Sequence, residues 1–156
     1  MTVNFDEIRA KINNGNYPRL GSGSGRRVFD LENGYVVKVA KNKKGIAQNK
    51  MEYKISTECT TNIMAKVEQV SDDFRFLIME KAEKVISMSD ILSYYEARSF
   101  FEMLQSTDVK MLVERFGLIV NDLQRRSSWG MLDGRPVIID YGFTKQVRAR
   151  YYGFFR

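Results

Sequence analysis

The sequence predicts an α+β fold built as a β-rich first part and a helical second part. Three observations predict it. Asn33-Gly34 sits between two strand-like runs, Val28–Leu31 and Tyr35–Ala40, which is a strong short-range hairpin signal. Ser71-Asp72-Asp73 separates two more such runs, 63–70 and 74–79, with the composition of a turn. Beyond residue 89 the period changes: Ile91, Leu92, Tyr94, Tyr95, Phe100, Phe101 and Leu104 recur at helical spacing.

The elements follow in order. Residues 17–20 lead into a glycine cluster and then a first hairpin of two strands. A helix is expected over 45–57, because Ala47, Met51 and Ile55 form one stripe at i, i+4 and i+8. The second hairpin covers 63–79. Ser89 is the expected cap of a helix running to about 105. A shorter helix is expected over 107–116, with Thr107 as its cap and Gly117 as its stop. Residues 118–123 read as strand-like, followed by a loop to Gly134 and a strand over 136–139. No repeat or linker divides the 156 residues, so one domain is expected, with parts near 17–82 and 83–156.

Composition narrows the chemistry. There is one cysteine, Cys59, and no histidine. A disulfide framework within the chain, a Ser-His or Cys-His pair and a His-built zinc site are therefore excluded. No apolar run is long enough to span a bilayer, and the polar N-terminus lacks a signal-peptide apolar region. A soluble cytoplasmic protein without membrane contact is expected. The net charge of +6 is uneven. Residues 38–54 carry +5, residues 122–156 carry +4, and residues 58–108 carry −5. Such basic segments suit anionic partners, and equally suit solubility.

Four features carry candidate chemistry. Gly21-Ser22-Gly23-Ser24-Gly25 precedes the strand at Val28. Such a run lets backbone N–H groups approach phosphates, though it reads equally as a flexible loop. Lys38 stands in the apolar strand Val36–Ala40, and Glu52 follows on the expected helix, beside its apolar stripe. If Lys38 faces inward it needs a partner; if it lies on an edge it faces water. Asp122 and Asp140 each stand at the end of an apolar segment. Carboxylates there are costly unless paired, capped or bound to metal; for Asp140-Tyr141-Gly142 the plain alternative is a turn.

Taken together, this series resembles the protein-kinase-like family. The wording Trp129-Gly130 and Asp133-Gly134-Arg135-Pro136-Val137-Ile138-Ile139-Asp140-Tyr141-Gly142 is similar to that of minimal kinase-like proteins of bacteriophages and bacteria. The resemblance spans about residues 17–145. It implies a two-lobed fold, with an N-terminal antiparallel sheet plus one helix and a truncated helical second lobe. It also implies ATP and Mg²⁺ as cofactors and phosphoryl transfer as the reaction. Gly21, Ser22, Gly23, Ser24, Gly25 and Val28 would cover the nucleotide. Lys38, oriented by Glu52, would meet its α- and β-phosphates. Met79 would be the gatekeeper, with Glu80 and Ala82 forming the hinge against adenine. Asp122 would take the acceptor's proton, and Asp140 would hold the metal.

Four departures qualify the match. Val120-Asn121 replaces the usual His-Arg before the catalytic Asp. Ser128 falls where a metal-binding Asn is usual. Arg26 stands in place of a third loop glycine unless Gly25 substitutes. Only a short tail, ending at Arg156, follows Gly142, so the usual substrate platform is expected to be missing. The expected function is a minimal Ser/Thr protein kinase acting on itself or a partner protein, with a homodimer among the candidate assemblies. The alternative is a pseudokinase-type module that binds a host or partner protein without phosphotransfer. Nucleic acid is the disfavoured partner: the basic segments and the aromatic, arginine-bearing tail support it, but no recognition helix or RNA-binding signature is visible.

Overall fold

The structure is a computed structural model that describes residues 3–85 and 87–152. Its first half is a five-stranded antiparallel sheet in the order β1-β2-β3-β5-β4. The strands are β1 (Arg19–Ser22), β2 (Arg26–Asp30), β3 (Tyr35–Ala40), β4 (Val67–Val70) and β5 (Phe76–Glu80). Alternation along β3 divides its side chains between two cores. Val37 and Val39 join Phe29, Phe76, Ile78 and Ile8 on one side. Val36 joins Leu77, Met79 and Ile55 on the other. Both faces are covered, so β3 reads as an almost unbroken apolar run. Lys38 breaks that run, on the side of Val36.

The first core is closed by α1 (Phe5–Asn13), an element that the sequence reading did not anticipate. Its signals are local. Asn4 caps it by accepting from the Glu7 N–H at 3.0 Å. Phe5, Ile8 and Ile12 share one face, and Phe5 stacks on Phe76 at 5.9 Å. The helix α2 (Lys43–Glu58) covers the opposite face, capped by Asn42 Oδ1 on the Gly45 N–H.

The first hairpin is present, but its turn is longer than Asn-Gly alone predicts. Leu31 N–H pairs with Tyr35 C=O, leaving a three-residue loop. Positive φ falls on Glu32 (60°) and Gly34 (90°) rather than on Asn33. The Asp30 carboxylate, accepting from Glu32 N–H at 2.7 Å, stabilises this loop. In the second hairpin, residues 63–66 leave the sheet. Met64 bridges Ile138 instead, with Ala65 N–H to Ile138 C=O at 3.0 Å and Ile138 N–H to Ile63 C=O at 2.7 Å. This buried segment joins the two halves of the molecule.

The second half holds β6 (Glu83–Lys84), β7 (Trp129–Leu132) and β8 (Arg135–Ile138) as a small antiparallel sheet. Around it lie α3 (Met88–Tyr94), α4 (Phe100–Leu104), α5 (Thr107–Phe116), α6 (Val120–Leu123) and α7 (Lys145–Tyr152). The single helix expected over 89–105 is two helices. Glu96 takes φ 55° after α3 ends, and Ser99 recaps α4 by accepting from Glu102 N–H. Ser87, not Ser89, caps α3, and Ser106 rather than Thr107 occupies the cap position of α5. Gly117 ends α5 in the left-handed conformation, as expected. Residues 118–123 are not a strand. Only Leu118 pairs, with Thr144, and residues 120–123 form one helical turn.

The main core runs from α2 and β5 through Ile91, Met103, Leu112 and Leu123 to Trp129 and Tyr141. Residues of α3 to α5 thus cover the backs of the second-half segments. Of the tail aromatics, Tyr151 is half-buried. Tyr152 ends α7, while Phe154, Phe155 and Arg156 lie outside the described residues. Among the described residues no helix is long and apolar enough to cross a membrane.

Leu112→Ala should cost about 2–5 kcal/mol, because Leu112 has no exposed surface and its loss leaves a cavity. Phe101→Ala should stay within about 0.5 kcal/mol, because Phe101 is 71% exposed. Urea unfolding midpoints at constant m-value measure both.

Candidate functional site

The strand β3 and the helix α2 place Lys38 and Glu52 face to face. Lys38 Nζ donates to Glu52 Oε1 at 2.9 Å and to Oε2 at 3.0 Å. It also donates to the Ile139 carbonyl at 2.6 Å, which ties the first half to the second. Lys38 therefore faces inward, and its partner is the one the kinase-like resemblance implied.

Glu52 is 0% exposed. Besides Lys38 it accepts from Arg26 Nη1 at 2.7 Å and Nη2 at 3.2 Å. The backbone N–H groups of Tyr141 and Gly142 donate to its Oε2 at 2.9 and 3.1 Å. Burial pushes its pKa up, but the charges of Arg26 and Lys38 and their hydrogen bonds override this and hold it at about 2. Burial lowers the pKa of Lys38, and the Glu52 charge opposes this without cancelling it. For Arg26, burial is overridden by the charge and hydrogen bonds of Glu52, and the pKa is raised.

The turn carrying Asp140 is pressed onto α2. A Cβ at Gly142 would lie 2.4 Å from the Gln48 carbonyl oxygen and 2.9 Å from Glu52 Cγ, so only glycine fits. The Tyr141 hydroxyl donates to the Ala65 carbonyl at 2.7 Å from a fully buried ring. These contacts leave the Asp140 carboxylate 55% exposed, with Arg26 Nη2 at 3.1 Å from its Oδ1.

Asp122 lies on α6, half-buried, with Arg125 Nη1 at 3.8 Å. Burial raises its pKa, Arg125 opposes this, and the negative charge of Asp140 adds to the rise. Ser128 links the two segments that carry the aspartates. Its Oγ donates to the Asp122 carbonyl at 2.7 Å, and its own carbonyl accepts from Ile139 N–H at 2.8 Å. The Ser128 proton is thus committed to main chain, while its oxygen lone pairs remain. Trp129 Nε1 fixes the same loop by donating to the Leu123 carbonyl at 2.8 Å.

The glycine run joins β1 to β2. Gly21, Val28 and Lys38 fall in one row across the sheet. Gly21 and Gly23 border open space, where a Cβ would meet nothing within 4 Å. Gly25 differs, because its carbonyl oxygen lies 2.0 Å from where a Cβ on Gly45 would be. There the loop rests directly on the first turn of α2. Lys41 Nζ donates to the Gly23 carbonyl at 2.6 Å, and Lys44 Nζ to Ser24 Oγ at 2.6 Å. Ser22 is exposed at the end of β1.

At the far end of β5, Met79 is buried opposite Val36. Glu80 is engaged with Lys66, donating its N–H to the Lys66 carbonyl at 3.0 Å and accepting from Lys66 N–H at 2.7 Å. Ala82 packs on β7, 2.6 Å from where a Cβ on Gly130 would sit. Of the three residues expected at the gatekeeper and hinge positions, Ala82 is the one that meets a strand of the second half.

Two site residues escaped the sequence reading. Arg26 entered it only as a departure from a glycine pattern, and Asn49 did not enter it. Arg26 is buried, and Asn49 Oδ1 accepts from its Nη1 at 3.0 Å. The available signal was alternation: Arg26 lies at i−2 from Val28, hence on the face that Val28 shares with Lys38.

Neither a family model nor a curated protein matches this chain. Solved structures do match. A streptomycin–ATP–APH(2'')-IIa ternary complex aligns with TM-score 0.50 at 18% identity, covering 91% of this chain and 72% of that one. The aminoglycoside phosphotransferase APH(2'')-Ib with ADP bound aligns at 0.50 and 19%, covering 87% and 70%. A gentamicin–APH(2'')-IIa complex aligns at 0.50 and 19%, covering 91% and 71%. At these identities the likeness shows the fold, which is the two-lobed protein-kinase-like fold expected from the sequence.

The depressed pKa of Glu52 has a pH consequence. Its stabilisation is complete above its ordinary value of 4.5 and is lost as pH falls through about 2. The full contribution, present at neutral pH, should amount to roughly 3 kcal/mol. Glu52→Gln leaves buried Lys38 and Arg26 with only the half-exposed Asp140 as counter-charge and should cost about 3–5 kcal/mol at neutral pH. The acid limb of its urea-unfolding stability, measured from pH 6 to pH 2, should be shallower than that of the unsubstituted protein.

Proposed function

We propose that this chain, which has the protein-kinase-like fold seen in aminoglycoside phosphotransferases, is an ATP- and Mg²⁺-dependent phosphotransferase. The observation that carries the reading is the convergence of Lys38, Glu52 and Asp140 at the joint between the halves. The proposed acceptor is a Ser or Thr hydroxyl, on the chain itself or on a partner protein.

The residues fit a metal–nucleotide complex. Mg²⁺ needs only one or two protein carboxylates, since waters and substrate phosphates complete its shell. The half-exposed Asp140 carboxylate suits that role, with the Ser128 oxygen as a second candidate ligand. Bound there, the metal would neutralise charge on the transferring phosphoryl group. The open backbone at Gly21 and Gly23 lets a phosphate chain approach β1 closely. Met79, Glu80 and Ala82 would border the adenine. Asp122 would accept the proton of the acceptor hydroxyl as its oxygen bonds to the γ-phosphorus and the bond to the ADP oxygen breaks. The burial that raises its pKa makes it the stronger base.

A protein acceptor accords better with the charge balance than an aminoglycoside does. Residues 83–156 hold nine acids against eleven Lys and Arg, a poor complement for a polycation. One observation favours the alternative of a nucleotide-gated or pure binding module. The three protons of Lys38 are already committed to Glu52 and Ile139, so a phosphate contact requires it to give one up.

ATP with Mg²⁺ at one hundred times its dissociation constant should stabilise the protein by about 2.7 kcal/mol, read as a rise in melting temperature. Transfer of labelled γ-phosphate to the protein should vanish in Lys38→Met and Asp140→Ala. Absence of any shift sinks the nucleotide reading. A shift with equal background labelling in all three proteins selects the binding module.

A further inference from the structure

We infer that Arg26 is a positioning residue, one that aims the Asp140 carboxylate at the divalent cation of the nucleotide. The inference rests on the phosphotransferase reading above. It starts from a charge count. One buried carboxylate, Glu52, already has a cation in Lys38. A second buried cation over the same carboxylate would leave the cluster positive, at a cost several-fold that of a surface charge. Arg26 is that second cation, and its balance is the half-exposed Asp140.

The geometry gives this arrangement direction. Nη1 is held by Asn49 Oδ1 at 3.0 Å and Glu52 Oε1 at 2.7 Å. Nη2 is held by Glu52 Oε2 at 3.2 Å and reaches Asp140 Oδ1 at 3.1 Å. Asn49 is itself fixed, donating through Nδ2 to the Phe74 carbonyl at 2.8 Å. A planar guanidinium clamped on two sides presents its remaining edge in one orientation. The backbone on either side of Asp140 is fixed by the bonds of Ile139, Tyr141 and Gly142, which leaves the carboxylate's own torsions to be set by a side-chain partner. Arg26 occupies one oxygen of a carboxylate whose side chain is 55% exposed, and leaves the other for a metal. Partners that orient a ligating carboxylate in this way commonly change metal affinity ten- to a hundredfold when removed.

The test compares the unsubstituted protein with Arg26→Gln and Arg26→Lys. Lysine keeps the buried charge over Glu52 but cannot reach Glu52, Asn49 and Asp140 together. Thermal melts establish that each variant folds, and ATP binding is titrated by calorimetry without metal and across Mg²⁺ concentrations. The expected result is a rise of about tenfold or more in the Mg²⁺ midpoint for both variants, with metal-free ATP affinity changed less than threefold. In an Asp140→Asn background, Arg26→Lys should produce no further rise. A merely structural Arg26 would weaken binding equally with and without Mg²⁺, and that outcome overturns the proposal. So does an unchanged midpoint, or a lower one, which would make Arg26 a competitor for the carboxylate. If Arg26→Gln does not fold, Arg26→Lys alone decides. Failure of the unsubstituted protein to bind ATP overturns the phosphotransferase reading and this one with it, whereas altered variants beside a binding parent isolate the role of Arg26.

Discussion

Glu52 has no exposed surface yet stays charged, and the rest of the structure is arranged around that fact. Burying a carboxylate costs several kcal/mol unless its lone pairs are met by well-placed donors. Here the donors come from four places: Arg26 on β2, Lys38 on β3, and the backbone N–H groups of Tyr141 and Gly142. Two belong to the sheet and two to the second half. Satisfying one carboxylate therefore docks the two halves against each other.

Close packing around α2 has the same origin. The helix can bring Glu52 to the joint only if its first turn passes under the glycine loop and its middle touches the Asp140 turn. Gly45 meets the Gly25 carbonyl, and Gly142 meets the Gln48 carbonyl, at distances that no side chain tolerates. These glycines serve packing, whereas Gly21 and Gly23 border open space. One glycine-rich sequence thus divides into a part that anchors and a part that remains available. The +5 segment over 38–54 also divides: Lys38 is buried at the joint, while Lys41 and Lys44 secure the loop.

Much of the sheet was legible because alternation and turn residues are local. Strand β3 and helix α2 follow from local periodicity, while the pairing of Lys38 with Glu52 came from the kinase-like resemblance of the series. The misses have specific causes. Residues 118–123 are apolar enough for a strand, but only Leu118 pairs, with Thr144, and residues 120–123 close into a helical turn that carries Asp122. The helix expected over 89–105 breaks at Glu96, because Ser99 offers a second cap that periodicity does not count. The helix α1 was missed because its polar residues dominate the composition, although three apolar positions suffice to cover the sheet.

The sequence by itself determined the α+β class, the absence of histidine chemistry, and the identity of Lys38, Glu52, Asp122 and Asp140 as the residues to watch. Lys38, Asp122 and Asp140 each stand in a local pattern, a strand interrupted by a charge or an apolar run closed by one, and Glu52 joined them through the kinase-like resemblance. Only the tertiary structure decided how they are joined. Arg26 on the second strand reaches Asp140 near the far end of the chain, and Ser128 turns its hydroxyl to the main chain of Asp122. No local periodicity encodes such contacts, because they arise when a buried carboxylate must find its donors wherever folding has placed them.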